Sequence, residues 1–188
     1  RVNLAALHAR NHLWSSIILA TRQTPAVKLI LFRPEWELRR LAGSSVPVVP
    51  DLQMVLGPAS DVISRPDSTA TVAFMTELDA GTERLSIWRA KAAAYRALRQ
   101  AGPLYGAERW FTLTLVPSLR RARTIATAVA SEGAGDFIYL AVEKVLRDGR
   151  AFDRVLWLAS ELAERAGPPR HSLVDLVGPS RMSVLITG

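Results

Sequence analysis

Cysteine is absent from the 188 residues, so disulfides, thiolate zinc sites and cysteine nucleophiles are excluded together. Lysine is scarce, with Lys28, Lys91 and Lys144 the only three. No apolar run reaches the roughly 18 residues that span a bilayer, and the opening residues lack the basic start and apolar stretch of a signal peptide. The expectation is a soluble, cytoplasmic protein without a membrane partner. Because the chain opens on Arg1 rather than methionine, we also expect a segment upstream. No P-loop, GxGxxG or GxSxG pattern occurs, so nucleotide triphosphate hydrolysis, dinucleotide binding and serine hydrolase chemistry lack support.

Hydrophobic residues make up 49% and charged residues 22%, a balance that builds a globular core rather than a disordered chain. The length suits one domain. The 24 basic residues exceed the 17 acidic ones by seven, and 21 of them are arginine. A polyanion such as DNA is the partner this favours, because arginine grips phosphate bidentately. Arginine-rich coding bias is the bland alternative, and charge alone does not separate the two.

Apolar spacing predicts a helix over 3–22 that contains no acidic residue, then a short strand over 27–32. Pro34 is expected at the first position of a helix over 35–41, closed by Gly43. Alternation over 52–56, stopped by Gly57-Pro58, and a β-rich run over 70–78 read as an antiparallel hairpin with a long loop. Thr82 is the expected cap of a helix running to about Gln100, with Glu83 in its first turn. Strands over 110–116 and 137–141 alternate with helices over 119–130, 142–147 and 152–165, and the tail holds apolar runs over 173–177 and 182–186. The sum is a single α/β domain around a mixed sheet. Residues 1–150 are expected to form its core, with 151–188 packed on as a terminal helix and tail.

Three acidic residues fall where the hairpin strands begin and end. Period two places Glu77 and Asp79 on one face, and antiparallel pairing brings Asp51 beside Glu77. Two carboxylates suit a hard divalent cation such as Mg²⁺ or Mn²⁺, which takes its remaining ligands from water and phosphate. Asp67 competes with Asp51 for this role. A continuous strand would put Asp67 roughly 33 Å from Glu77, ten steps of about 3.3 Å, and a hairpin that short has very small arms. That favours Asp51 without removing Asp67.

On the following helix Lys91 and Tyr95 share a face, with Arg84 and Trp88 on the same broad side. Lys91 is suited to orienting water or neutralising phosphate, whereas the bland reading has Trp88 and Tyr95 in the core and Lys91 snorkelling to solvent. Tyr95 also admits a second role, attack on a DNA phosphate with a covalent link. Arg84, Trp88 and Tyr95 are the candidate DNA contacts, joined by the cluster Arg120, Arg121 and Arg123. His8 and His12 stand four apart without an HExxH pattern, and His171 stands alone.

Val49-Pro50-Asp51, the run from Phe74 through Glu77-Leu78-Asp79 to Glu83, and the downstream Lys91 and Tyr95 resemble the replication-relaxation proteins of plasmids and other mobile elements. That group looks like a branch of the PD-(D/E)XK nuclease superfamily. The first helix and the segment Trp36-Glu37-Leu38-Arg39-Arg40 share the likeness, which covers about residues 1–150. It implies a restriction-endonuclease-like fold with an αβββαβ-type core, a divalent metal, DNA as partner, and association with other replication or transfer proteins. Asp51 and Glu77 match the metal carboxylates, and Lys91 matches a lysine moved onto the helix. Asp79 stands where the superfamily's Glu-x-Lys has lysine. Two functions follow as expectations. The first is metal-dependent nicking or cleavage by Asp51, Glu77, Asp79 and Lys91, with Asp79 assisting or holding a second ion. The other is a nuclease fold that binds DNA without turnover.

Overall fold

A computed structural model describes residues 4–43, 46–59, 70–146, 150–165 and 167–177. Six strands form one sheet in the order of the chain: β1 Val27–Pro34, β2 Leu52–Pro58, β3 Val72–Leu78, β4 Trp110–Val116, β5 Ile138–Val142 and β6 Trp157–Leu158. The first three are antiparallel neighbours, β3, β4 and β5 run parallel, and β6 turns back antiparallel on β5. The parallel pairs need crossovers, which α3 (Leu85–Ala101) and α4 (Leu119–Ser131) supply. This is a mixed sheet flanked by helices, consistent with a restriction-endonuclease-like fold.

The two faces of the sheet have separate cores because side chains alternate along each strand. On one face Trp88, Ala92 and Tyr95 of α3 and Ile125, Ala126 and Val129 of α4 close over Val55, Ala73, Met75 and Leu140. Leu162 of α5 (Ala159–Glu164) joins that layer. On the other, Leu13, Ile17 and Ala20 of α1 (Leu4–Gln23) cover Met54, Phe74, Leu113 and Leu115. Leu173 of α6 (Leu173–Val177) belongs to this second core, and Ser16 of α1 donates its hydroxyl to the Leu146 carbonyl.

Several boundaries differ from the sequence reading. Gly57-Pro58 does not stop β2; both residues pair with β1, as Lys28 and Val27 lie opposite them. The ladder skips a residue at Ile30, and a Cβ on Gly57 would stand 2.5 Å from Ile30 Cδ1, so glycine permits the close approach. Pro34 ends β1 and precedes α2 (Glu35–Ala42) instead of opening it. Gly43, as expected, terminates α2 with a positive φ of 56°.

The helix expected over 142–147 is a 3-10 turn, Glu143–Leu146, with Arg147 outside the described residues. The helix expected over 152–165 breaks into a 3-10 turn, Arg150–Phe152, then β6, then α5. Tertiary pairing overrides helical spacing there: Leu156 bonds His171 through both backbone groups, and Leu158 and Trp157 pair with Tyr139 and Leu140. The run over 182–186 also lies outside the described residues.

Candidate active site

Asp51 is held from two sides. Its carbonyl accepts the Glu35 N–H at 2.8 Å, which ties it to the start of α2, and its Oδ2 accepts the Leu78 N–H at 2.7 Å. The register Leu52 to Thr76 then sets Asp51 opposite Glu77, as the hairpin geometry requires. Asp67, the competing carboxylate, lies outside the described residues.

Glu77 points into the α3 layer and is 1% exposed. Its two oxygens have different partners: Tyr95 donates to Oε1 at 2.5 Å, and Lys91 Nζ lies 2.8 Å from Oε2. Burial pushes its carboxyl up from 4.5 to about 7, and the nearby Asp51 charge adds to the rise while Lys91 and Tyr95 oppose it. Asp51 is raised too, chiefly by burial. Burial also drives the Tyr95 hydroxyl well above its ordinary value, so it stays a protonated donor to Glu77. Thr114 pairs with Glu77 in the β3–β4 register, and its buried hydroxyl has no hydrogen-bond partner.

Lys91 is shared. Besides Glu77, its Nζ stands 3.0 Å from each oxygen of Glu83 and 4.9 Å from the centre of the Trp88 ring. Burial favours loss of its proton, but Glu77 and Glu83 outweigh that and hold the ammonium charged. Thr82 is not the cap: the loop runs on through Glu83, and α3 starts at Leu85 after Arg84.

Asp79 faces a different partner. Arg121 of α4 donates from Nε to its Oδ2 at 2.6 Å and from Nη2 to its Oδ1 at 3.0 Å, and Nη2 also reaches the Glu83 carbonyl at 2.6 Å. Arg121 thus holds both oxygens of Asp79, the carboxylate expected to assist or to hold a second ion. Among the described residues no group of three or more histidine or acidic side chains is placed to hold a metal ion by itself. Of the expected DNA contacts, Arg84, Arg120 and Arg123 are presented to solvent, whereas Trp88 and Tyr95 are each 1% exposed and pack in the core.

Glu83 and Arg121 are the site members that sequence reasoning missed. Glu83 was legible as a first-turn acid of the helix expected from Thr82 and as the end of the run that carries the resemblance, not as a partner of Lys91. Arg121 stood in a run of arginines, and its pairing with Asp79, 42 positions away, has no local signal.

A family model described as replication-relaxation matches residues 3–114. The chain belongs to the replication-relaxation family. Membership makes it a replication-related DNA-processing protein. No curated protein and no solved structure matches it. The replication-relaxation match ends inside β4, so it takes in Asp51, Glu77, Asp79, Glu83, Lys91 and Tyr95 and stops short of Arg121. No helix among the described residues of this replication-relaxation protein is long and apolar enough to cross a membrane.

Proposed function

We propose that this chain nicks or cleaves phosphodiester bonds of DNA, with a divalent metal, during replication or transfer of a mobile element. The observation that carries the reading is the salt bridge of Lys91 to buried Glu77 beside Asp51. The donor set fits Mg²⁺ or Mn²⁺: two oxygen-donor carboxylates suffice for a hard cation that keeps several waters, and the unpartnered Thr114 hydroxyl lies alongside. Asp51 and Glu77 would hold the ion, which supplies an activated water and neutralises phosphate charge when bound.

The chain's own groups divide the remaining work. Tyr95 fixes the Glu77 carboxylate by its hydrogen bond, and Lys91 offers an ammonium to a phosphate oxygen. Arginine covers the helical layer above. Neither α3 nor α4 contains an acidic residue, and Arg84, Arg89, Arg120 and Arg123 are exposed there or at its edge. Such a surface tracks a phosphate backbone. The work would take place in the cytoplasm, beside the replicating element.

Supercoiled plasmid incubated with the protein and Mg²⁺ or Mn²⁺ should yield nicked or linear DNA. The product should vanish with chelator, with Glu77→Gln and with Lys91→Ala; cutting by Glu77→Gln at the wild-type rate would sink the proposal.

A second reading has one specific support. Every oxygen of Glu77 and Asp79 already has a protein partner, which suits a nuclease fold retained for binding. It requires a salt-sensitive mobility shift with no metal-dependent product at any protein concentration.

A further inference from the structure

Lys91 stands between an inner and an outer carboxylate. Its Nζ is 2.8 Å from Glu77 and 3.0 Å from Glu83, whose side chains are 2% and 33% exposed. The Trp88 ring supports the same ammonium from a third side. One positive charge in this position offsets Asp51 and Glu77, two carboxylates that burial disfavours as ions, Glu77 the more so because the Asp51 charge stands nearby. An ammonium and a divalent cation pressed onto the same carboxylate repel each other strongly in so dry a place.

The surroundings leave Lys91 a way out. Arg121 anchors the Glu83 carbonyl, and the buried Trp88, Ala92 and Tyr95 anchor α3, so the backbones on both sides are held. What remains movable is the flexible four-carbon stem of the lysine, and Glu83 already offers it two oxygens toward solvent.

We infer that Lys91 is the resident cation of the Asp51–Glu77 pair, and that Glu83 is a positioning residue which takes the ammonium when a divalent metal occupies that pair. The inference rests on the metal reading proposed above and deepens it. Glu83 acts through Lys91 rather than on the ion.

Its test is Mn²⁺ titration of the whole chain, followed by calorimetry and by the spin-resonance signal of free Mn²⁺. Because losing Lys91 lets the Glu77 carboxyl rise further, each titration is repeated over a pH series so that proton competition is separated from the metal's own affinity. Lys91→Met should bind Mn²⁺ roughly tenfold tighter than wild type or better, because a repelling charge is gone. Glu83→Gln should bind roughly tenfold more weakly, since the ammonium then stays on Glu77. In the double variant the Glu83 effect should shrink to within about threefold of Lys91→Met alone. An equal loss from Glu83→Gln in both backgrounds would make Glu83 a ligand and overturn the inference. Unchanged affinity in Lys91→Met would overturn it too, and Lys91→Gln serves if that variant fails to fold. If Mn²⁺ binds none of the proteins, the metal reading falls and takes this inference with it. Glu77-dependent binding that Lys91→Met does not tighten removes only the inference.

Discussion

The carboxylate of Asp51, one residue ahead of β2, accepts the backbone N–H of Leu78, the last residue of β3, at 2.7 Å. That bond closes the open end of the hairpin and sets the half-buried Asp51 carboxylate beside the buried one of Glu77. Everything proposed for the site depends on it, because Glu77 is delivered by the same strand end.

Tyr95→Phe should raise the Glu77 carboxyl above its present value near 7, since the tyrosine hydrogen bond lowers it. The variant should also lose about 1–3 kcal/mol of stability, the usual range for removing one partner of a buried hydrogen bond. Denaturant melts and carboxyl titration by NMR check the two effects separately.

Stability should fall as pH rises from about 4.5 to about 7. The folded chain keeps a proton on Glu77 across that window that the unfolded chain has already lost, so the Glu77 contribution is greatest at the acid end. Glu77→Gln has no such proton and should flatten the slope by on the order of 2–3 kcal/mol across the window. Asp51, raised in the same sense, leaves a residual slope in the variant. Unfolding measured at matched pH for wild type and variant gives the difference.

Arg121→Ala should cost about 3–5 kcal/mol, because it leaves the fully buried Asp79 side chain without its counter-charge. Asp79→Ala alone should also destabilise, and the double variant should cost clearly less than the two singles added together. A urea-denaturation cycle would read the coupling, and simple additivity would count against the clamp.

Replacing Arg84, Arg89, Arg120 or Arg123 by glutamine should weaken DNA binding similarly for unrelated sequences. Each loss should reduce the slope of log affinity against log salt by about one, the signature of a lost phosphate contact. Fluorescence anisotropy over a salt series measures it. Arg99 is the internal control, since its guanidinium is engaged with the Trp110 carbonyl and the rings of Trp110 and Phe111.

The hairpin was legible in the sequence because its rules are local. Alternation marks the two strands, and antiparallel pairing fixes which ends meet, which favoured Asp51 over Asp67 as the neighbour of Glu77 without removing Asp67. Trp88, Lys91 and Tyr95 likewise fell on one side of α3 through helical spacing. The burial of Trp88 and Tyr95 was the bland alternative for the same spacing, and periodicity could not choose between a ring in the core and a ring on DNA.

By itself the sequence determined the α/β class, the hairpin, the excess of arginine and the neighbourhood of Asp51, Glu77 and Lys91. Only the tertiary structure decided who partners whom within that neighbourhood. Arg121 reaches Asp79 from another helix, Lys91 divides between Glu77 and Glu83, and α3 begins at Leu85 instead of after Thr82. The same holds for residues 150–165, where β6 exists because β5 offers an edge to pair with. Periodicity reports the face on which a side chain lies. The atom it touches depends on packing between elements far apart in the chain, where an unpaired buried charge is too costly to leave and the nearest opposite charge takes the place.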